Sequence, residues 1–280
     1  MPEPDAATAD QYGIIGHPIG HSWSPFIHGI FAQQTHQNLV YRLFDVEPED
    51  FEKRVVELFA GGVRGLNVTI PHKQAAARIA DQRTDRAMRA RAVNTLVLRD
   101  DGTLLGDNTD GVGLINDLTR NLHFTLRDKR VLMLGAGGAA RGVMGPLLDE
   151  EVWELTVANR TPARARALCA EFFDTEKVAS CGFLDIPGLA YDLIINATAA
   201  SLHGEMPVLP AGIVGKTTLC YDMAYGRGAT PFTAWAEAQH AGQACKGWGM
   251  LVEQAAVAFE LWRGIHPDTE PVLQTLAQYR

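Results

Sequence analysis

The stretch Arg130-Val131-Leu132-Met133-Leu134-Gly135-Ala136-Gly137-Gly138-Ala139 decides the reading of this chain. Residues 130–134 form a compact apolar strand that runs straight into a glycine cluster and then into a helical stretch, 139–148. The first glycine allows a tight turn, and the next ones let the backbone approach a pyrophosphate. Such a charge is favoured at the N-terminus of the helix that follows. The spacing is not a strict G-x-G-x-x-G, and a glycine cluster alone also suits a tight loop with no ligand. The flanking strand and helix favour the dinucleotide reading.

The next strand, 155–159, refines the cofactor. A chain that binds NAD usually ends this strand with Asp or Glu, which holds the ribose hydroxyls. Here the end reads Ala158-Asn159-Arg160-Thr161, with Arg164 following. A carboxylate would repel a 2′-phosphate, whereas arginines pair with it through charge-assisted, often bidentate bonds. The pattern points to NADP. The competing reading is that Arg160 and Arg164 are solvated charges at the start of a helix, and Arg166 suits that role.

Further strands follow at 193–196 and 218–223, with a helix at 164–173 and helices at 250–264 and 271–279. On the N-terminal side, 12–15 reads as a strand closed by Gly16, Pro18 and Gly20. Ser24-Pro25 opens a helix over 26–34, with Ser24 suited to the N-cap and Pro25 to the first turn. Strands at 40–44 and 66–70 and a helix at 51–60 complete this block. Strands alternating with helices predict a parallel α/β sheet. There is no repeat at a fixed period and no low-complexity linker, so a domain boundary has to fall within structured segments.

Acidic residues outnumber basic ones, 33 to 25, for a formal net charge of -8. That balance argues against a nucleic-acid binder, whose footprint is a basic surface. No apolar run approaches the roughly 20 residues that span a bilayer, and no membrane partner is expected. Residues 1–10 are acidic and have no hydrophobic core, so they read as a disordered lead-in and not a signal peptide. Cys169, Cys181, Cys220 and Cys245 show no C-x-x-C pair and no metal-ligand spacing. They read as thiols of a reducing cytoplasm. The nine histidines form no H-E-x-x-H or similar cluster, so no metal is expected.

The N-terminal block places polar residues where apolar runs end: Ser22, Ser24, Asn67, Thr69, Lys73, Asn94, Thr95 and Asn108 to Asp110. A single one is explained by turn chemistry. Several together suggest a cleft lined with hydrogen-bonding groups at the carboxyl ends of strands, where open α/β sheets bind ligands. Such a lining suits a small polyhydroxylated substrate.

At this point the residues resemble the shikimate dehydrogenase family. The matching segments are Gly16-His17-Pro18-Ile19 with His21-Ser22-Trp23-Ser24-Pro25, and Asn67-Val68-Thr69-Ile70-Pro71-His72-Lys73. They continue with Ala92-Val93-Asn94-Thr95, Gly106-Asp107-Asn108-Thr109-Asp110-Gly111 and the glycine cluster. Asn159-Arg160-Thr161, Asn196-Ala197-Thr198, Tyr221-Asp222-Met223 and Gly249-Met250-Leu251 with Gln254 complete the set.

The resemblance implies an N-terminal α/β substrate domain, 1–110 with 247–280, and a Rossmann-like NADP domain, 111–246. It implies reversible NADPH-dependent reduction of 3-dehydroshikimate to shikimate on the route to aromatic amino acids. Ser22 and Ser24 would hold the substrate carboxylate. Thr69, Asn94, Asp110 and Gln254 would bind its hydroxyls, with Tyr225 nearby. Lys73 and Asp110 would be the catalytic pair, Lys73 as acid/base or as electrostatic anchor. Gly135, Ala136, Gly137, Gly138, Ala139, Asn159, Arg160, Thr161, Arg164 and Thr198 would hold NADP. Met223 and Gly247 would lie near the nicotinamide. A monomer and a homodimer are both compatible with this reading.

Two departures from the family pattern stand out. The family commonly has a serine and then a glycine after Asn196-Ala197-Thr198, where this chain has Ala199, Ala200 and Ser201. It often has Asp where Lys246 precedes Gly247. The competing functions are a sibling dehydrogenase that also accepts quinate, with NAD, and a silent NADP-binding sensor. Arg160 speaks against NAD in the first, and the presence of both Lys73 and Asp110 against the second.

Overall fold

The computed structural model describes residues 9–172 and 176–279. The chain divides into two compact units, Met1–Gly113 with Val252–Gln274 and Leu114–Leu251 with Thr275–Arg280. Two divisions fall slightly past residues 110 and 246, a third puts residues 275–280 with the second unit rather than the first, and all three lie inside helices rather than in linkers.

The first unit contains β1 (Asp10–Gly16), α1 (Ser24–Gln34), β2 (Leu39–Asp45), α2 (Phe51–Ala60), β3 (Val63–Val68), α3 (Lys73–Ile79), β4 (Gln82–Arg83), α4 (Asp85–Ala90), β5 (Thr95–Leu98) and β6 (Leu104–Asp107). Its six-stranded sheet has the order β2-β1-β3-β5-β6-β4. The sheet is mixed rather than parallel throughout: β3 pairs antiparallel with β5, and β5 with β6. A tight turn explains the last pairing, because only antiparallel strands can be joined by one. Asp101 Oδ1 accepts from Thr103 N at 2.9 Å and Thr103 Oγ1 at 2.6 Å, and Gly102 takes φ +82°.

Helix α5 (Asp110–Asn116) leads into a π turn, Asp117–Asn121, and the second unit. There follow β7 (Arg130–Leu134), α6 (Gly138–Asp149), β8 (Glu154–Asn159), α7 (Pro162–Cys169), β9 (Val178–Gly182), β10 (Tyr191–Asn196), β11 (Val214–Asp222), α8 (Pro231–Ala238) and β12 (Gln243–Lys246). The strand order is β12-β11-β10-β7-β8-β9, every pairing parallel. This is the doubly wound arrangement that the glycine cluster predicts, with apolar side chains packed on both faces. Helix α9 (Trp248–Arg263) and α10 (Glu270–Leu276) close the chain.

Several boundaries differ from the sequence reading. Of the expected lead-in 1–10, residues 1–8 lie outside the described residues, and Asp10 already belongs to β1. Ser24 is the first residue of α1 and not its N-cap; Trp23 holds that position without a side-chain cap. The Ser24 N–H instead donates to Ser22 Oγ at 3.3 Å. β3 stops at Val68 and not at residue 70. Pro71 has no N–H for a ladder, and the chain turns as His72 N donates to Thr69 O at 2.9 Å. The helix expected over 164–173 begins at Pro162 and tightens into a 3-10 turn, Ala170–Phe172, and residue 173 lies outside the described residues.

In the first unit, Ile15, Phe51, Val55, Leu66 and Val68 form the buried centre. Gly65 in β3 is required by a close approach: a Cβ there would enter the Trp262 indole of α9. The indole N–H donates to Leu96 O at 3.1 Å.

His28 of α1 is fully buried and lies flat against the Tyr41 ring, centroids 4.2 Å apart. Burial drives its pKa down to about 3, only partly offset by the neighbouring Asn67 side chain. In the unfolded chain a histidine titrates near pH 6.5. The unfolded state therefore takes up this proton first as the pH falls, and the stability present above about 6.5 is lost on the way to about 3. Urea unfolding at pH 7 and pH 5 measures the effect. His28→Leu is expected to abolish about 2 kcal/mol of the difference between the two pH values. An equal pH dependence in both proteins would contradict the assignment.

Candidate active site

The first unit gathers its polar strand ends into one buried cluster. Lys73 opens α3, directly after the turn that ends β3. Asp110 opens α5. Lys73 Nζ donates to Asp110 Oδ2 at 2.5 Å. The lysine is partly exposed, with 24% of its side chain accessible, and the carboxylate is nearly covered at 10%. One end of this ion pair is therefore open to a ligand and the other is fixed in the protein.

Asn94 lies beside the pair and is 2% exposed. Its amide nitrogen donates to Asp110 Oδ1 at 2.9 Å, Thr109 Oγ1 at 2.8 Å and Gln254 Oε1 at 3.4 Å. Its oxygen accepts from Thr109 N at 2.8 Å and Thr95 Oγ1 at 3.0 Å. Four residues named from the sequence, Lys73, Asn94, Asp110 and Gln254, thus belong to one network. Ser22 and Ser24 form a pair of their own, hydroxyl to hydroxyl at 3.2 Å. Thr69 follows β3, held by its N–H on Ile15 O at 3.0 Å. Its methyl group stands where a Cβ on Gly16 would be, which requires glycine there.

The sequence reading missed two groups that brace this cluster. Tyr41 of β2 donates its hydroxyl to Asn67 Oδ1 at 2.7 Å. Burial pushes its phenol well above the usual value, with a Ser24 hydrogen bond opposing, so the hydroxyl keeps its proton. Asp107 is fully buried and is met by Thr84 Oγ1 at 2.5 Å, the Arg86 guanidinium and the N–H of Asn108. Burial raises its pKa, but these partners outweigh burial and hold the carboxyl below its usual range. No pattern in the sequence separates Tyr41 from an ordinary strand aromatic. Asp107 could have been suspected, because it closes a strand within the same motif as Asp110.

The second unit holds a cleft of 760 Å³ at the carboxyl ends of its strands. Gly135, Ala136, Gly137, Asn159, Arg160, Arg164 and Thr198 line it, all named from the sequence. Gly135 takes φ +106°, and a Cβ there would stand 3.0 Å from Ala197 O. Gly137 and Gly138 face open space at the first turn of α6, where Gly138 and Ala139 begin the helix. The backbone N–H groups at a helix start are anion donors. Arg160, just after β8, and Arg164, in the first turn of α7, are exposed and have no carboxylate partner among the described residues. Thr161 is the N-cap residue of α7, and its carbonyl accepts from Asn159 Nδ2 at 3.0 Å. Asp185 and Glu205 also line the cleft.

Met223 and Gly247 do not line this cleft but lie against each other. A Cβ on Gly247 would come within 2.6 Å of Met223 O, and Gly247 N donates to Ala224 O at 3.1 Å. Tyr225 packs tilted on Trp248, centroids 5.2 Å apart, and burial pushes its phenol up.

Of the departures from the family pattern, Ser201 and Lys246 make contacts of their own, while nothing in the structure explains Ala199 and Ala200. Ser201 donates to Asp222 Oδ2 at 2.8 Å and accepts from Asn196 Nδ2 at 3.0 Å, tying the loop after β10 to the end of β11. Lys246 Nζ donates to Gly226 O at 2.8 Å and Gly228 O at 2.7 Å, clamping the loop that carries Tyr225.

Comparisons with known proteins identify the family. The description "Shikimate dehydrogenase substrate binding domain" matches residues 14–96, "Shikimate / quinate 5-dehydrogenase" matches 117–209, and "Shikimate 5'-dehydrogenase C-terminal domain" matches 247–277. A shikimate dehydrogenase (NADP(+)) of Methylococcus capsulatus is 54% identical, over 97% of this chain and 97% of its own length. A protein of the same name from Aeromonas hydrophila is 51% identical over 95% of this chain and 97% of its own. Among solved structures, an Ael1 enzyme from Pseudomonas putida matches with a TM-score of 0.90 at 44% identity, covering 96% and 98% of the two chains. The shikimate 5-dehydrogenase of Thermus thermophilus, solved with NADP(H) and shikimate, matches with a TM-score of 0.86 at 32% identity, covering 97% and 100%. The chain belongs to the shikimate dehydrogenase family.

Proposed function

We propose that Lys73 and Asp110 carry the chemistry of this chain as an NADP-dependent shikimate dehydrogenase. The enzyme reversibly reduces 3-dehydroshikimate to shikimate, in the route to aromatic amino acids. The observation that supports the pair is the 2.5 Å contact between a partly exposed ammonium and a covered carboxylate, set among buried amides.

The cofactor fits the second unit: a glycine turn that a Cβ would obstruct, an open helix start and, just after β8 and in the first turn of α7, two guanidinium groups without a carboxylate partner among the described residues. Gly135 to Ala139 would hold the pyrophosphate, and Asn159, Arg160, Thr161 and Arg164 the 2′-phosphate end. Thr198 would lie along the cofactor, with Met223 and Gly247 at its nicotinamide. When bound, the reduced cofactor supplies hydride to the ketone carbon.

The protein's own part is to bind, orient and deliver a proton. Ser22 and Ser24 hold the substrate carboxylate, and Thr69, Asn94, Asp110, Tyr225 and Gln254 bind its hydroxyls. The Lys73 ammonium gives a proton to the oxygen of the former carbonyl and stabilises the charge developing on it. Asp110 holds the ammonium in place. In the reverse direction Lys73 accepts the hydroxyl proton. No helix among the described residues is long and apolar enough to cross a membrane, and we place the enzyme in the cytoplasm on its cysteine usage. A monomer and a homodimer both suit this function.

Steady-state kinetics of Lys73→Ala test the pair. The expected result is a kcat lower by about 100- to 10,000-fold with a much smaller change in substrate KM. Asp110→Asn is expected to impair both. A near-normal kcat in Lys73→Ala would remove the lysine from the mechanism.

Cofactor choice is read from kcat/KM with NADP and with NAD. The unmodified protein is expected to prefer NADP clearly. Arg160→Ala is expected to weaken NADP by roughly one to two decades and NAD by less, because the lost contact is charge-assisted. Equal values for both cofactors in the unmodified protein would overturn the assignment of Arg160.

Quinate carries an added hydroxyl on the carbon that bears the carboxylate, the end assigned to Ser22 and Ser24. A hydroxyl buried there without a partner costs roughly one to two decades in kcat/KM. Oxidation of shikimate is expected to be at least about tenfold more efficient than that of quinate. Comparable values at saturating NADP would make this a quinate/shikimate enzyme and leave the catalytic pair in place.

A further inference from the structure

We propose that Thr95 and Tyr41 are positioning residues that set the Asp110 carboxylate through a one-way chain of hydrogen bonds. The inference rests on the reading of Lys73 and Asp110 as the catalytic pair and extends it to residues that touch neither.

The chain can be followed donor by donor. The Tyr41 hydroxyl donates to Asn67 Oδ1 at 2.7 Å. Asn67 Nδ2 donates to Thr95 Oγ1 at 3.1 Å. The Thr95 hydroxyl donates to Asn94 Oδ1 at 3.0 Å. Asn94 Nδ2 donates to Asp110 Oδ1 at 2.9 Å, and Lys73 Nζ meets the other carboxylate oxygen. Every donor points towards Asp110. The middle of the chain is closed to solvent, with Asn67, Asn94 and Thr95 at 4%, 2% and 0% exposure.

Direction is what gives the chain its effect. An asparagine amide has an acceptor end and a donor end, and its neighbours decide which faces where. A donor from Tyr41 fixes Asn67 with its NH2 on Thr95. Thr95 has one hydroxyl proton, and with Asn67 donating to its oxygen that proton goes to Asn94. Asn94 then presents its NH2, and not its oxygen, to Asp110. Successive bonds polarise one another in a low-dielectric interior. The chain does not move protons, because its amide links give none up. It keeps one carboxylate oxygen bonded to Asn94 so that the other is turned to Lys73. The N–H of Thr109 also donates to Asn94 Oδ1 at 2.8 Å. That second anchor limits the effect of losing Thr95 and sets its expected size.

The test is a double-mutant cycle. Thr95→Val removes the hydroxyl at nearly constant shape, and Thr95→Ser restores it. Both are made in the unmodified enzyme and in Asp110→Asn, with kcat, the KM of NADP and the melting temperature measured for each. Thr95→Val is expected to lower kcat by about three- to tenfold, the size of one net hydrogen bond. The KM of NADP is expected to hold, Thr95→Ser to recover most of the loss, and Thr95→Val to change kcat by less than about twofold within Asp110→Asn. Tyr41→Phe follows the same pattern with a smaller loss and serves where Thr95→Val does not fold. An equal loss in both backgrounds, or no rescue by serine, overturns the chain while leaving the catalytic pair intact. If Asp110→Asn alone leaves kcat unchanged, it is the reading of the pair that fails.

Discussion

A carboxylate withdrawn from water has to be met by donors, and Asp110 is the place where this constraint governs the first unit. Its side chain is 10% accessible. An unpaired charge in that position would cost several kcal/mol. The protein supplies Lys73 on one oxygen and Asn94 on the other, and anchors the Asp110 N–H on Asn108 Oδ1 at 3.1 Å. Each donor needs support in turn, which explains why Asn, Thr and Asp crowd the segments 94–95 and 107–110. The same arrangement suits catalysis. A lysine whose counter-ion cannot rotate is held at one point, and only its own end is left open to a substrate.

The cofactor site proposed in the second unit answers a different requirement, access of a large anion to backbone. The glycines serve there by absence: at Gly135 a side chain would press on Ala197 O, and at Gly137 and Gly138 the space is left open. The neighbouring loops at the same carboxyl end of the sheet are fixed by side chains. Asp222, fully buried, accepts from Asn196, Ser201, Thr230 and the N–H of Ala224. Ser201 is thus part of the fastening of the loop after β10, and Lys246 extends the fastening to the carbonyls of Gly226 and Gly228.

Much of this is legible in the sequence because motif residues carry their own local signals. A glycine cluster between an apolar run and a helix states its own turn, and Arg160 in place of an acid carries the proposal for the 2′-phosphate. Elements longer than about seven residues can be read from apolar periodicity. The two-residue β4, the four-residue β5, β6 and β12 and the six-residue α4 cannot, because too few positions are sampled to define a period. Ser24 misleads as a cap for a related reason. A serine before proline suits the cap locally, but the helix begins one residue earlier and Ser22 takes its N–H. Tyr41 is invisible. Its role follows from register, since β1 lies between β2 and β3, and no pattern within residues 39–45 shows that its hydroxyl meets Asn67.

The two units share one structural device despite their different tasks. Asp110 in the first and Asp222 in the second are buried acids at the ends of strand-derived segments, and each draws donors from several stretches of chain onto one carboxylate. Asp107 does the same for Thr84, Arg86 and Asn108. A hydrophobic core fixes the position of strands to the precision of packing, but a loop at the end of a sheet has little apolar surface to bury. Convergent hydrogen bonds on a desolvated charge supply what packing cannot, because every bond to an ionised group is roughly twice as strong as a neutral one and fixes an angle as well as a distance. Functional loops at sheet ends therefore need buried acids for reasons of geometry alone. What distinguishes Asp110 among the three is its partner: Asp107 and Asp222 are closed off by protein groups, whereas Asp110 holds a lysine whose other face is left to the ligand.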